Sequence, residues 1–127
     1  MSQSVHIWAI AAGDAQTFEL FLEEQYDEDD VPINGFAATQ GVTYYDHAWQ
    51  EAYFLGNPTA PSALREALSG VTDMDAVIAL FGSAGAGNCD GLIRLSVTED
   101  VLGISRPRDG ALGDIAVSYL GMFDADD

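Results

Sequence analysis

Residues 5–11, VHIWAIA, decide how the rest of the chain is read. Only His6 interrupts the apolar run, and the two-residue alternation of a half-wet strand is poor. A short, nearly continuous apolar run of this kind is the pattern of an inner strand covered on both faces, with Trp8 large enough to anchor a core. Ala9 and Ala11 imitate a leader-peptide cleavage site, but no basic residue precedes them, so a buried strand is expected instead of a secretion signal.

Working outward, Gly13 ends the strand and Asp14 is placed to cap a helix. Phe18, Phe21, Leu22 and Tyr26 then recur at helical spacing with Glu19, Glu23 and Glu24 opposite, predicting an amphipathic helix over 14–26. It gives way to Asp27-Glu28-Asp29-Asp30 and to Val31-Pro32, where the proline disfavours helix in the residue before it. A short helix over 34–40 carries Phe36 inward and stops at Gly41. Residues 42–55 are dense in aromatics and their period is ambiguous; an extended piece through Tyr45 followed by a helix or irregular run from Asp46 is expected. Gly56-Asn57-Pro58 is a break. Pro61 opens a third helix with Ala63, Leu64, Ala67 and Leu68 on its apolar side and Gly70 as its stop.

The remainder reads as sheet. Ala76–Phe81 is a continuous apolar run, expected as a central strand, and the glycine-rich stretch 82–91 as a flexible hairpin loop. Residues 92–97 alternate with period two, 101–105 form a shorter strand candidate, 106–113 a turn region, and 115–123 a closing strand. The expected architecture is one α+β domain over residues 1–127, with a mostly antiparallel sheet of four to five strands, two or three helices packed on one face, and an acidic tail, 124–127, that frays.

Charge restricts the partners. The chain has 127 residues with 21 acidic side chains, four arginines, no lysine and a formal charge of -17. Nucleic acid and anionic membrane surfaces are excluded as expected partners, because both are bound through clustered cations and only Arg106 and Arg108 lie close together. A protein with a basic surface is the favoured partner, since a one-signed field speeds encounter with the opposite sign. An acidic surface of this kind also suits a domain from a salt-loving organism, where it serves solubility with no partner. Cys89 is the sole cysteine, which fits a reducing, cytoplasmic compartment, and no run approaches the length of a membrane helix.

Catalytic chemistry finds thin support, and no catalytic, metal or cofactor residue is assigned. The run Asp27–Asp30 fails as a calcium loop, with Val31 and Pro32 where a ligand and a glycine are needed. Asp46, His47 and Cys89 supply the minimum for thiol catalysis, and a small hydrolase or ligand-binding domain using them is the alternative reading. Cys89, however, precedes a strand, and Asp90 beside it raises its pKa. The stretch 82–87 lacks the lysine and the following helix of a phosphate loop. The segment from Tyr44 to Glu51 is instead rich in the residue types that anchor protein interfaces. The expected contact surface is Asp27, Glu28, Asp29, Asp30, Tyr44, Asp46, Trp49 and Glu51.

Val5-His6-Ile7-Trp8, the Phe-rich helix ending near Tyr26-Asp27, Phe36-Ala37, Tyr45-Asp46-His47 and Tyr119-Leu120-Gly121-Met122-Phe123 together resemble the bacterial immunity-protein family numbered 22. The resemblance spans nearly the whole chain. It implies a small cytosolic antidote encoded beside a polymorphic toxin, acting by stoichiometric binding without chemistry or cofactor. The acidic surface adds a separate expectation, that the toxin has a basic active surface such as that of a nuclease.

Overall fold

The computed structural model describes residues 2–23, 25–26, 32–41, 50–56, 60–97 and 107–126. Strand β1, Ser2–Ala11, is the middle of a five-stranded antiparallel sheet. Around it lie β4 (Gln50–Phe54), β5 (Gly91–Val97), β6 (Gly110–Leu112) and β7 (Ile115–Asp126), in the order β4-β5-β1-β7-β6. A separate two-stranded ladder pairs β2, Gln25–Tyr26, with β3, Pro32–Ile33. The helices are α1 (Ala15–Leu22), α2 (Gly35–Thr39), α3 (Pro61–Ala67) and α4 (Met74–Ser83). The α+β class and the antiparallel sheet expected from the sequence are what the chain adopts.

β1 is covered on both faces, as its composition predicts. Val5, Ile7 and Ala9 pack with Leu64, Leu68, Val77 and Phe81 of the α3/α4 region, while Trp8 and Ile10 pack with Phe18, Phe21 and Phe36 from α1 and α2. The four helices therefore divide between the two faces and do not gather on one. An inner strand apolar on both sides demands this, because exposing either side to water would forfeit about 25 cal/mol for each square ångström of apolar surface. α1 starts where Asp14 accepts a 2.7 Å hydrogen bond from the Thr17 N–H, and that bond holds the Asp14 carboxyl below the usual range. α2 is capped in the same way, with Asn34 accepting from the Ala37 N–H at 2.8 Å.

Several sequence expectations are corrected. Residues 76–81 are helix α4, with Val77 and Phe81 buried and Leu80 exposed, not a central strand. The run conceals its period because outward positions are also apolar. The stretch 82–91 is no hairpin loop: α4 runs into a 3-10 turn at Ala84–Gly87, and the chain enters β5 with Cys89 and Asp90 buried. Residues 50–54 form β4 instead of a helix or irregular run. The turn expected over 106–113 contains β6 at 110–112. The first helix stops at Leu22, four residues earlier than the spacing suggests. The acidic end does not fray at Asp124, since β7 continues to Asp126, Ala125 is buried, and the Asp124 carbonyl accepts from the Thr72 N–H at 2.9 Å.

A bulge explains how β7 serves both cores. Ile7 pairs with Gly121 and Trp8 with Tyr119, which leaves Leu120 as the extra residue. Ile115, Val117 and Tyr119 join the α1/α2 core, whereas Phe123 and Ala125 join the α3/α4 core, although all five are odd-numbered. Gly121 takes up the reversal at a φ of 131°, a conformation that side chains with a Cβ rarely adopt.

Candidate functional site

An open groove of about 640 Å³ lies between α1 and β4. Its floor is Phe18 and Leu22 from the helix and Ala52 and Phe54 from the strand; Gln16, Glu19, Leu20 and Glu23 form its outer wall. Alternation places Ala52 and Phe54 on one side of β4, and a four-residue step places Phe18 over Leu22, so helix and strand present one continuous apolar strip. The Phe18 and Phe54 rings meet at 5.9 Å. Gly91 lets the helix come this close: a Cβ there would stand 2.5 Å from the Phe18 ring. Leu20 is 58% exposed and Phe54 38%.

The cations are placed elsewhere. Arg94 Nη1 donates to the carbonyls of Ala67 and Ser69 at 3.1 and 2.9 Å, while its Nε lies 3.3 Å from Glu51. Arg65 bridges α3 and α4 through Asp75 at 3.3 Å. Arg108 donates to the Thr39 carbonyl, and its backbone exchanges two hydrogen bonds with Gln40. Every described arginine thus joins two parts of the fold. Among the described residues no cation pairs with Glu19 or Glu23.

Of the eight residues expected at the contact surface, Asp27, Glu28, Asp29, Asp30, Tyr44, Asp46 and Trp49 lie outside the described residues. Glu51 is described, and its carboxylate is engaged with Arg94 on the α3/α4 side of β4, opposite to the groove. Phe54 and Leu20 were not among the expected contacts. Leu20 had a signal in the sequence, an apolar residue among glutamates on the wet face of a helix.

The residues considered for chemistry are differently placed. His47 and Asp46 lie outside the described residues. Cys89 is buried, with Sγ 3.5 Å from the Ala84 carbonyl oxygen, and burial followed by the Asp90 charge pushes its thiol up to about 11. It is therefore held as a neutral thiol near pH 7, and the thiolate is the nucleophilic form. Asp90 is occupied too: its two oxygens accept from the Ala12 and Gly13 N–H groups at 2.9 and 2.7 Å, and its carbonyl accepts from those of Leu55 and Gly56. The buried Asp90 thus ties the end of β1 through its carboxylate, and the end of β4 through its backbone carbonyl, to the start of β5. His6 Nδ1 and Tyr119 Oη share a hydrogen bond of 2.8 Å beside the Trp8 ring, and burial lowers the imidazole pKa. The buried Trp8 Nε1 has no hydrogen-bond partner among the described residues. No described helix is long and apolar enough to cross a membrane.

Comparison with protein families, curated proteins and solved structures finds no match to the chain. The resemblance to immunity-protein family 22 accordingly rests on its short sequence motifs.

Proposed function

We propose that this chain is a binding protein of the antidote type, which neutralises a basic bacterial toxin, such as a nuclease, by occupying its active surface in a one-to-one complex in the cytoplasm. The observation that supports this reading most directly is the fate of the cations. Arg65, Arg94 and Arg108 each donate to groups of this chain and stand apart from one another, so among the described residues no cluster of cations offsets the formal charge of -17. A surface of that kind repels polyanions and attracts a polycation at rates raised roughly 10- to 1000-fold at low salt. Binding also needs no reactive group, which suits a chain whose described thiol is buried and protonated.

The test is titration of the purified chain against the basic C-terminal domain of the toxin encoded beside it. A one-to-one complex whose association slows steeply with salt, with loss of toxin activity in step with occupancy, is the expected result. Turnover of a small substrate by the chain alone, with no capture of the toxin, would refute the proposal.

A further inference from the structure

The charge describes a partner's field but leaves open how the partner is gripped. We infer that the groove between α1 and β4 is a docking site for an amphipathic, basic helix of a protein partner, whose apolar residues seat against Phe54, Phe18 and Leu20 while its Lys or Arg residues meet Glu19 and Glu23. The inference rests on the binding reading above and adds the place and the form of contact.

Three observations select this occupant. The strip is apolar along its floor yet open to water, with Leu20 58% and Phe54 38% exposed, whereas most other large apolar side chains among the described residues are buried or half-buried. Its helical wall carries two carboxylates four residues apart, and among the described residues no cation faces them. α1 has eight residues and so spans about 12 Å, which matches roughly two turns of a helix laid alongside it with anchors at i, i+3 or i+4, and i+7. Charge complementarity decides among occupants. A second copy of this chain would bring its own acidic rim against this one, and an anionic lipid surface would be repelled. A basic helix gains from both the floor and the rim.

The probe is a synthetic peptide of roughly 18 residues, long enough to be helical, with Leu at i, i+3, i+4 and i+7 and Lys elsewhere. Two controls accompany it: the same composition scrambled so that no face is apolar, and the same pattern with Glu in place of Lys. Binding is followed through the methyl resonances of Leu20 and Leu22 in the full chain. The patterned cationic peptide is expected to bind and shift these methyls, and the two controls to bind at least about tenfold more weakly. Leu20→Ser and Phe54→Ser should each weaken binding by about tenfold, the effect of losing one buried apolar anchor. Leu80→Ser, at a leucine 41% exposed on α4, should leave affinity unchanged. Glu19→Gln with Glu23→Gln should weaken binding at low salt and have little effect at high salt. Leu20 and Leu80 are both exposed, so their variants should keep the fold, which circular dichroism verifies.

The inference is overturned if the scrambled peptide binds as well as the patterned one, if Leu80→Ser costs as much as Leu20→Ser, or if contacts from the chain's own residues already cover the Leu20 methyls without peptide. The two proposals fail separately. A captured toxin that is indifferent to Leu20→Ser and Phe54→Ser removes the groove and leaves the antidote reading. A peptide that seats in the groove of a chain inert toward its neighbouring toxin does the reverse.

Discussion

On the α3/α4 side of the sheet Arg94 reaches Ala67 and Ser69 and meets Glu51, and Arg65 meets Asp75; on the α1 side Glu19 and Glu23 flank an exposed leucine, and no described cation pairs with them. Both sides bury comparable apolar residues against β1, so hydrophobic burial does not distinguish them. What differs is where the described arginines meet carboxylates, at Asp75 and Glu51 on the α3/α4 side and at neither Glu19 nor Glu23 on the α1 side. Arg94 fills the carbonyls that the end of α3 leaves without partners, a closed arrangement with little left to offer a ligand. The α1 side joins α2 and the sheet through aromatic contacts such as Trp8 on Phe36, rings at 4.9 Å and 85°, and keeps its charges facing outward. Carboxylates already paired with an arginine serve stability, and those without a described cation remain available for recognition.

The comparison breaks first at the aromatic contact. Phe36→Ala removes a fully buried ring from the α1/α2 core and should cost about 3–5 kcal/mol in urea unfolding; a loss below about 1 kcal/mol would mean that this face is held by something else. Arg94→Ala should cost about 2–3 kcal/mol, chiefly because the buried Ala67 carbonyl and the half-buried contact to the Ser69 carbonyl lose their donor. Arg94→Lys should recover only part of that, since one ammonium cannot copy a guanidinium reaching carbonyls through Nη1 and Glu51 through Nε. Glu51→Gln, at a half-exposed carboxylate, should cost under about 1 kcal/mol, and a larger loss would shift the weight from the carbonyls to the ion pair. Gly91→Ala sharpens the comparison on the other side. The added methyl displaces the Phe18 ring, costs about 1–3 kcal/mol, and should disturb Leu20 and Phe54 resonances while sparing those of α4.

A pH dependence is expected as well. The folded chain keeps the Cys89 proton up to about 11, whereas an ordinary thiol releases it near 9.0. The unfolded chain thus binds fewer protons between these values, and stability, intact below pH 9, declines as pH rises through that window. Cys89→Ala should flatten this part of the stability curve, and alkylation of native Cys89 should be slow at about pH 8. An equal decline with and without the thiol would assign it to another group. Ionic strength supplies a separate check on the acidic surface. Cooperative melting in dilute buffer would show that the fold tolerates its own charge, and unfolding there would favour an acidic domain adapted to high salt.

The sequence by itself determined much of this molecule. VHIWAIA could be read as a strand buried on both sides because only an inner strand can afford apolar residues at consecutive positions. The Asp14 cap, the helix it starts, the short helix carrying Phe36, the alternating strand at 92–97 and the one-signed charge were legible for equally local reasons. The direction of the shift on the Cys89 thiol was legible from its neighbour Asp90, although burial, which only the fold supplies, is the larger cause. Tertiary structure alone decided the rest. Ala76–Phe81 became a helix because two of its residues, Val77 and Phe81, met β1 while the others could stay near the surface, a choice that an all-apolar run does not announce. The bulge at Leu120 moved Phe123 and Ala125 to the opposite core, which no count of alternation foretells. The groove belongs to this second class, as Phe18 and Phe54 are 36 positions apart and meet only because Gly91 lets α1 settle against the sheet. Patterns along the chain report which residues leave water, and only the packing of distant elements settles what they touch.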